Sequence, residues 1–146
     1  MEVPMLRQFL VGGGVAIINI AIHAFVMSLV IAVAQRGART KVEHPALFLA
    51  AVMIPTVSVL MATHALEVMV WALAYSIVDA APPGTDWMYF AFVNYATLGY
   101  GDIVPVPRWR LLGPIAAMNG ALMFGWSTAV IFEVMRKAME LGQQPK

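Results

Sequence analysis

The sequence contains no cysteine and few charged residues, and both deficits narrow what the protein can be. Without cysteine the chain can form neither a disulfide framework nor a thiolate metal site. Charged residues make up 12% of its 146 residues, whereas soluble domains carry about 25%. Hydrophobic residues make up 61% and the net charge is +1, so the composition indicates a membrane protein and gives no reason to expect a nucleic-acid partner. The sequence has no recognisable nucleophile–base pair of the kind that would indicate an enzyme.

Three apolar segments are long enough to cross a membrane. Residues 9–34 carry no charge, residues 46–78 are interrupted only by Pro55, His64 and Glu67, and residues 111–135 form the third segment. A hydrocarbon core about 30 Å thick needs roughly 20 helical residues. The sequence therefore predicts an all-α membrane protein with three transmembrane helices. A cleaved signal peptide is the alternative for the first segment, although the apolar part of such peptides is shorter, about 7–15 residues.

A fourth, shorter segment lies between the second and third spans. Thr85 or Asp86 is expected to cap a helix of about a dozen residues, too short to span the membrane. The sequence Thr97-Leu98-Gly99-Tyr100-Gly101-Asp102 follows it, so we expect a re-entrant helix and loop. Gly99 and Gly101 tolerate positive φ, which would let successive carbonyl groups point the same way. Irregular backbone in lipid must be buried in protein or line a watery path, so the segment predicts an ion pathway; the alternative is a glycine-rich turn.

Residues 97–102 resemble the selectivity-filter signature of potassium channels, and the similarity extends over about residues 46–136. The resemblance implies a homotetrameric pore in which the backbone carbonyls and the Thr97 hydroxyl bind K⁺. The implied filter consists of Thr97, Leu98, Gly99, Tyr100 and Gly101, with K⁺ held at the first four. The implied function is passive, potassium-selective conduction with no cofactor beyond the permeating ion. A less selective cation channel is an alternative.

The resemblance also assigns supporting roles. Asp102 is expected to hydrogen-bond to Tyr89 or Trp87, or else to be a solvated turn residue, and the Tyr100 ring is expected to pack among the aromatic residues of the pore helix. Residues 120–125 resemble the hinge region of the inner helix. The expected pore-lining or gate residues, with Phe132 as the gate, are Gly120, Ala121, Phe124, Gly125, Thr128 and Phe132. The alternative is that the phenylalanines pack against the outer helix.

His64 and Glu67 lie three residues apart inside the second span, where a carboxylate is costly unless it is paired, neutral or hydrated. One interpretation is a buried hydrogen-bonded pair that docks the first span through Asn19 or His23. A second is a pH sensor, since imidazole titrates near neutrality. A third is a metal site, for which two or three ligands are thin evidence.

The expected organisation is an extra helix with its loop (residues 1–45), a pore domain (46–137) and a short cytoplasmic tail (138–146). Basic residues are more numerous on the side of the loop and the tail, which the positive-inside rule makes cytoplasmic. The N-terminus and the filter mouth are then outside, in a multi-pass protein of the inner cell membrane whose partners are lipid and its own copies. The alternative from another class is a non-conducting sensor or regulatory subunit that uses His64 and Glu67.

Overall fold

A computed structural model describes residues 4–36 and 44–142 of the chain. Within these ranges it contains four α-helices and no strand: α1 (Met5–Arg36), α2 (Pro45–Val78), α3 (Trp87–Tyr95) and α4 (Leu112–Gly142). A 3-10 turn, Pro107–Trp109, precedes α4. The loop and tail residues Arg39, Lys41 and Lys146, on which part of the predicted topology depends, lie outside the described residues.

Three of the helices are long and apolar enough to cross a membrane. The candidate spans are Met5–Val33, Ala46–Val78 and Pro107–Glu140, with 29, 33 and 34 residues. At 1.5 Å per residue α2 is about 50 Å long, so it must tilt or extend into the interface of a bilayer about 30 Å thick. The predicted all-α membrane fold with three spanning helices is confirmed.

The start of the short helix α3 is set by a local cap. The Asp86 carboxylate accepts hydrogen bonds from the backbone N–H groups of Met88 and Tyr89 at 3.0 and 3.1 Å, which caps the first turn. The helix ends after nine residues at Tyr95, shorter than the dozen expected from the sequence. It is packed between α2 and α4, with Phe90, Ala91 and Tyr95 buried in the main core.

The chain enters and leaves α3 at the same end of the bundle. The Val106 N–H donates to the Ala80 carbonyl at 2.8 Å, which ties the returning segment to the end of α2. The first turn of α1 lies there as well, since the Leu111 N–H donates to Gln8 Oε1 at 3.0 Å. The segment around α3 therefore enters and returns on one side, the side that holds the start of α1.

The last helix is longer than predicted. The sequence led us to expect a helix ending near Met135 and a tail from residue 138, but α4 continues to Gly142. Ion pairs one turn apart support the added turns: Glu133 pairs with Arg136 at 2.9 Å and with Lys137 at 3.0 Å, and Arg136 pairs with Glu140 at 2.6 Å. Ala138 is buried, so this part of the predicted tail belongs to the packed helix.

Candidate functional site

The loop after α3 has an unusual backbone. Positive φ occurs at Thr97 (60°), Gly99 (57°) and Gly101 (78°), whereas Leu98 and Tyr100 between them do not share it. Glycine adopts such angles at little cost, as the sequence analysis expected. Thr97 is the surprise, because a β-branched residue at positive φ is a genuine outlier. Strain of this kind, about 1–3 kcal/mol, tends to be kept at functional sites.

The N–H groups of this loop turn back toward α3. Both the Leu98 N–H and the Gly99 N–H donate to the Val93 carbonyl, at 2.9 and 3.5 Å. In a planar trans peptide the C=O points away from the N–H. The carbonyls of Thr97 and Leu98, which share peptide units with those N–H groups, therefore point away from α3 on the same side. Each of the residues from Thr97 to Asp102 is exposed in the single chain.

Asp102 is fixed to the start of α3. The Tyr89 hydroxyl donates to Asp102 Oδ2 at 2.6 Å, which is one of the two partners expected from the sequence. This hydrogen bond lowers the pKa of the Asp102 carboxyl and raises the pKa of the Tyr89 phenol. Trp87, the other expected partner, packs against the main core. The Tyr100 ring is 65% exposed, so packing of this ring requires a surface beyond the single chain.

The expected pore-lining residues of α4 divide into two groups. Ala121, Gly125, Thr128 and Phe132 are exposed in the single chain, so they are free to face a pore. Gly120 is buried and is not on this face, because a Cβ there would lie 2.0 Å from the Tyr95 carbonyl oxygen. Its assignment as a pore-lining residue is therefore corrected: the residue lets α4 touch α3.

Phe124 lies between these two groups. Its ring packs on the rings of His64 and Tyr95, with centroid distances of 4.6 and 5.5 Å, while the residue remains 38% exposed. This arrangement agrees with the packing alternative, because His64 belongs to the outer helix α2. The exposed part of the ring is still available to a pore.

Five polar side chains from all four helices meet behind α3, and we refer to them as the buried polar cluster: His23, His64, Glu67, Tyr95 and Ser127. Glu67 is fully buried, and its carboxylate is within hydrogen-bond distance of His23 Nδ1 at 2.8 Å and of His64 Nδ1 at 3.0 Å. The Tyr95 hydroxyl donates to the same carboxylate. Ser127 Oγ lies 3.0 Å from His64 Nε2 and 3.4 Å from His23 Nε2.

A second polar group extends the cluster along α1. The Asn19 amide donates to the Glu67 carbonyl at 3.2 Å and to Asn119 Oδ1 at 3.1 Å, and Trp71 Nε1 also donates to Asn119 Oδ1 at 3.0 Å. One interpretation of the sequence was that the first span docks through Asn19 or His23. The sequence did not indicate Asn119, Ser127 or Trp71, although polar residues within apolar spans are the signal that could have found them.

The residues His23, His64 and Glu67 offer metal-ligating atoms within 4.8 Å of one another. Each of these groups is already a hydrogen-bond partner of another, and the Glu67 carboxylate has three hydrogen-bond partners: the Nδ1 atoms of His23 and His64 and the Tyr95 hydroxyl. A divalent ion would also leave a net positive charge in a buried site within the membrane, which is costly. The arrangement therefore fits a hydrogen-bonded network, and we assign no metal site to it.

Comparison with known proteins matches the second part of the chain to a protein family. A family model described as "Ion channel" matches residues 63–137, from the second half of α2 through α3 and the loop after it to α4, slightly more than half of the chain. Neither the search of the curated proteins nor that of the solved structures gave a match. The match points to a channel rather than an enzyme and covers the re-entrant segment described above. The chain is a multi-pass membrane protein that belongs to an ion channel family.

Proposed function

We propose that the protein is a potassium-selective channel that conducts K⁺ passively through the backbone carbonyls of residues 97–100. The observation that carries the proposal is the shared acceptor Val93, whose carbonyl takes the N–H groups of both Leu98 and Gly99. That arrangement leaves the Thr97 and Leu98 carbonyls directed away from α3. Positive φ recurs at every second residue, at Thr97, Gly99 and Gly101, and this repeat supports the same carbonyl direction further along the loop.

Aligned carbonyls suit a weakly hydrated monovalent cation because they replace its water shell with neutral oxygen dipoles. The C-terminal end of α3, at Tyr95, lies directly before the loop. A helix C-terminus carries a partial negative charge, which favours a cation near it. The carbonyl dipoles and the C-terminal end of α3 both attract positive charge, so the loop favours cations over anions.

One chain supplies one row of carbonyls, which cannot surround an ion. A closed symmetric ring of chains solves this, and the similarity of residues 97–102 to potassium channels indicates four copies. The single chain leaves Leu98 50% and Tyr100 65% exposed next to the loop. In a tetramer these side chains can pack against neighbouring copies, with the Tyr100 ring in an aromatic layer around the filter.

The proposed orientation follows from charge. The end of the bundle that holds the filter loop carries Arg7, Arg108 and Arg110. The opposite end carries Arg136 and Lys137, and the sequence adds Arg36, Arg39, Lys41 and Lys146 on that side. The positive-inside rule then places the filter mouth and the N-terminus outside the cell. In this arrangement α2, α3 and α4 form the pore unit and α1 packs outside it.

The proposal is tested by flux into liposomes that contain the purified full-length chain. A K⁺ gradient should drive a flux that an equal Na⁺ gradient does not, and native mass spectrometry in detergent should show four copies. Equal fluxes of K⁺ and Na⁺ would indicate the less selective cation channel. A folded tetramer that conducts neither ion would indicate the non-conducting sensor, and both outcomes would overturn the proposal.

A further inference from the structure

The hydrogen bonds of the buried polar cluster form a closed cycle. His23 Nδ1 faces Glu67 Oε1 at 2.8 Å, and Glu67 Oε2 faces His64 Nδ1 at 3.0 Å. His64 Nε2 faces Ser127 Oγ at 3.0 Å, and Ser127 Oγ faces His23 Nε2 at 3.4 Å. Every nitrogen of both imidazoles therefore meets a member of the cycle.

The cycle fixes the number of protons it contains. An ionised carboxylate only accepts hydrogen bonds, so Nδ1 of each histidine must carry a hydrogen. If both imidazoles were neutral, each Nε2 would be an acceptor, and both would face the one hydroxyl hydrogen of Ser127. That hydrogen serves only one of them. With Glu67 ionised, the other Nε2 makes a hydrogen bond to Ser127 Oγ only if it carries a proton, and one of the two imidazoles is then an imidazolium.

This proton count makes the cluster electrically neutral, because one imidazolium balances the Glu67 carboxylate. Neutrality is favoured in a buried site within the membrane. Loss of the proton leaves an unbalanced carboxylate and an Nε2 without a hydrogen-bond donor. A second proton either creates two imidazolium rings, whose centroids lie only 5.4 Å apart, or turns Glu67 into a donor that faces three other donors.

The cluster is mechanically connected to the filter. Tyr95 donates to Glu67 from the last turn of α3, two residues before Thr97. The titratable groups that face the cluster are His23 on α1, His64 and Glu67 on α2, and Tyr95 on α3. In the described part of α4 the facing side chains are uncharged: Ser127, Trp126 and Phe124. The Trp126 ring lies 5.2 Å from the His23 ring and the Phe124 ring 4.6 Å from the His64 ring.

We propose that the cluster binds one exchangeable proton, shared by His23 and His64 through Ser127, and that this proton holds Tyr95 and the filter in the conducting position. The role of α1 is then to make the channel sensitive to pH. The pH control rests on the proposed channel function, whereas the proton count does not. Acidification is expected to lower K⁺ flux, because a second proton on Glu67 turns the carboxylate into a donor and weakens the hydrogen bond that Tyr95 donates to it.

The binding of a proton by the buried polar cluster is tested first, in an experiment that does not measure transport. Infrared spectroscopy of the full-length protein in liposomes reports whether a carboxyl group is ionised. We expect the Glu67 carboxylate to be ionised at pH 7.5 and a protonated carboxyl band to appear on acidification to pH 5. The protonated carboxyl band should be missing in Glu67→Gln and unchanged in His44→Gln, because His44 is exposed at the start of α2 and its replacement removes no carboxyl group.

The control of conduction is tested by K⁺ flux as a function of pH. Imidazole changes its charge between about pH 5 and 8, and we expect the parent flux to fall at least about threefold from pH 7.5 to pH 5. Glu67→Gln should flatten this profile, because its amide needs no balancing proton. Ser127→Ala, which removes the link between the two Nε2 atoms, is the second variant in case Glu67→Gln does not assemble. His44→Gln should keep the parent profile.

Each outcome decides the proposal. A parent flux that is selective for K⁺ but constant between pH 5 and pH 7.5 would overturn the control of conduction and leave the channel function standing. If the unsubstituted protein gives no K⁺ flux, the channel function and the control of conduction are both overturned. The infrared bands would still test whether the cluster binds a proton. A flux that responds to a metal chelator at constant pH would show that the cluster binds a metal ion, and it would overturn the proposal that the cluster binds an exchangeable proton.

Discussion

Gly120 of α4 lies so close to Tyr95 of α3 that a Cβ on Gly120 would be 2.0 Å from the Tyr95 carbonyl oxygen. The obstructing atom is backbone, so it cannot rotate away as a side chain could. Only glycine allows this contact, and α4 therefore packs directly on the last residue of α3. The same residue, Tyr95, is bonded to Glu67 on its other side.

Gly120→Ala is expected to push α4 away from α3. Overpacking of this kind costs about 1–3 kcal/mol in the free energy of unfolding, and K⁺ flux should fall because the residues before the filter lose their support. Gly125→Ala is the matched control, since a Cβ there meets nothing within 4 Å. Alanine favours a helix by about 1 kcal/mol over glycine, so the control should be neutral or stabilising. Thermal unfolding in detergent checks both variants, and equal stability of the two would contradict the assigned contact.

Much of the fold could be predicted from the sequence because each helix has its own local cause. The three spans follow from apolar length, and the start of α3 follows from Asp86, whose side chain caps it. The role of Gly120 could not be predicted, because the contact with Tyr95 depends on how two helices are placed in space. The end of α4 was misjudged, since ion pairs extend the helix beyond the apolar run.

Tyr89→Phe is expected to raise the pKa of Asp102 toward its ordinary value. The Tyr89 hydroxyl stabilises the ionised carboxylate and so lowers its pKa in the folded protein. A lowered pKa contributes stability above the ordinary pKa of aspartate, and that contribution is lost as the pH falls through the lowered value. The acid loss of flux or of assembly that depends on Asp102 should therefore begin at a higher pH in Tyr89→Phe. Carbon NMR titration of the Asp102 carboxyl measures the shift, and an unchanged titration would contradict the bond.

Phe132→Ser tests whether the exposed face of α4 contains a gate. Phe132 is 60% exposed in the single chain, one turn before Arg136. Four copies would form an apolar ring from which water withdraws, and a hydroxyl in its place should keep the ring wet. We expect a higher basal K⁺ flux with the tetramer intact. Phe25→Ser makes the same change at an exposed position of α1 and should leave the flux unchanged. Weaker tetramers with no gain of flux would show that Phe132 only packs.

Gly99→Ala isolates the effect of backbone angle on selectivity. Gly99 has a φ of 57° and open space where a Cβ would lie in the single chain, so the penalty there comes from the backbone. A left-handed conformation costs an L-residue about 1–2 kcal/mol, which should misalign the neighbouring carbonyls and reduce the preference for K⁺ over Na⁺. Gly13→Ala in α1 also meets no neighbour and should keep the preference. A tetrameric Gly99→Ala that discriminates as the parent does would remove Gly99 from the filter.

The filter-like loop was more predictable than the buried polar cluster, and the difference has a physical reason. Positive φ at Gly99 and Gly101 follows from the residue type alone. Thr97 opposes its local preference, so its φ of 60° reflects the hydrogen bonds around it and could not be read from the residue. The cluster draws Ser127 and Tyr95 from separate helices, and no helical spacing brings them to Glu67.

The central claim is selectivity for K⁺ through the carbonyls that face away from α3. The most direct measurement is the reversal potential of the parent protein in a planar bilayer, with K⁺ on one side and an equal concentration of Na⁺ on the other. A potassium-selective filter predicts a large reversal potential, because K⁺ crosses to the Na⁺ side and leaves the K⁺ side electrically negative. A reversal potential at zero, with current present, would contradict the assignment of residues 97–100 as a potassium filter.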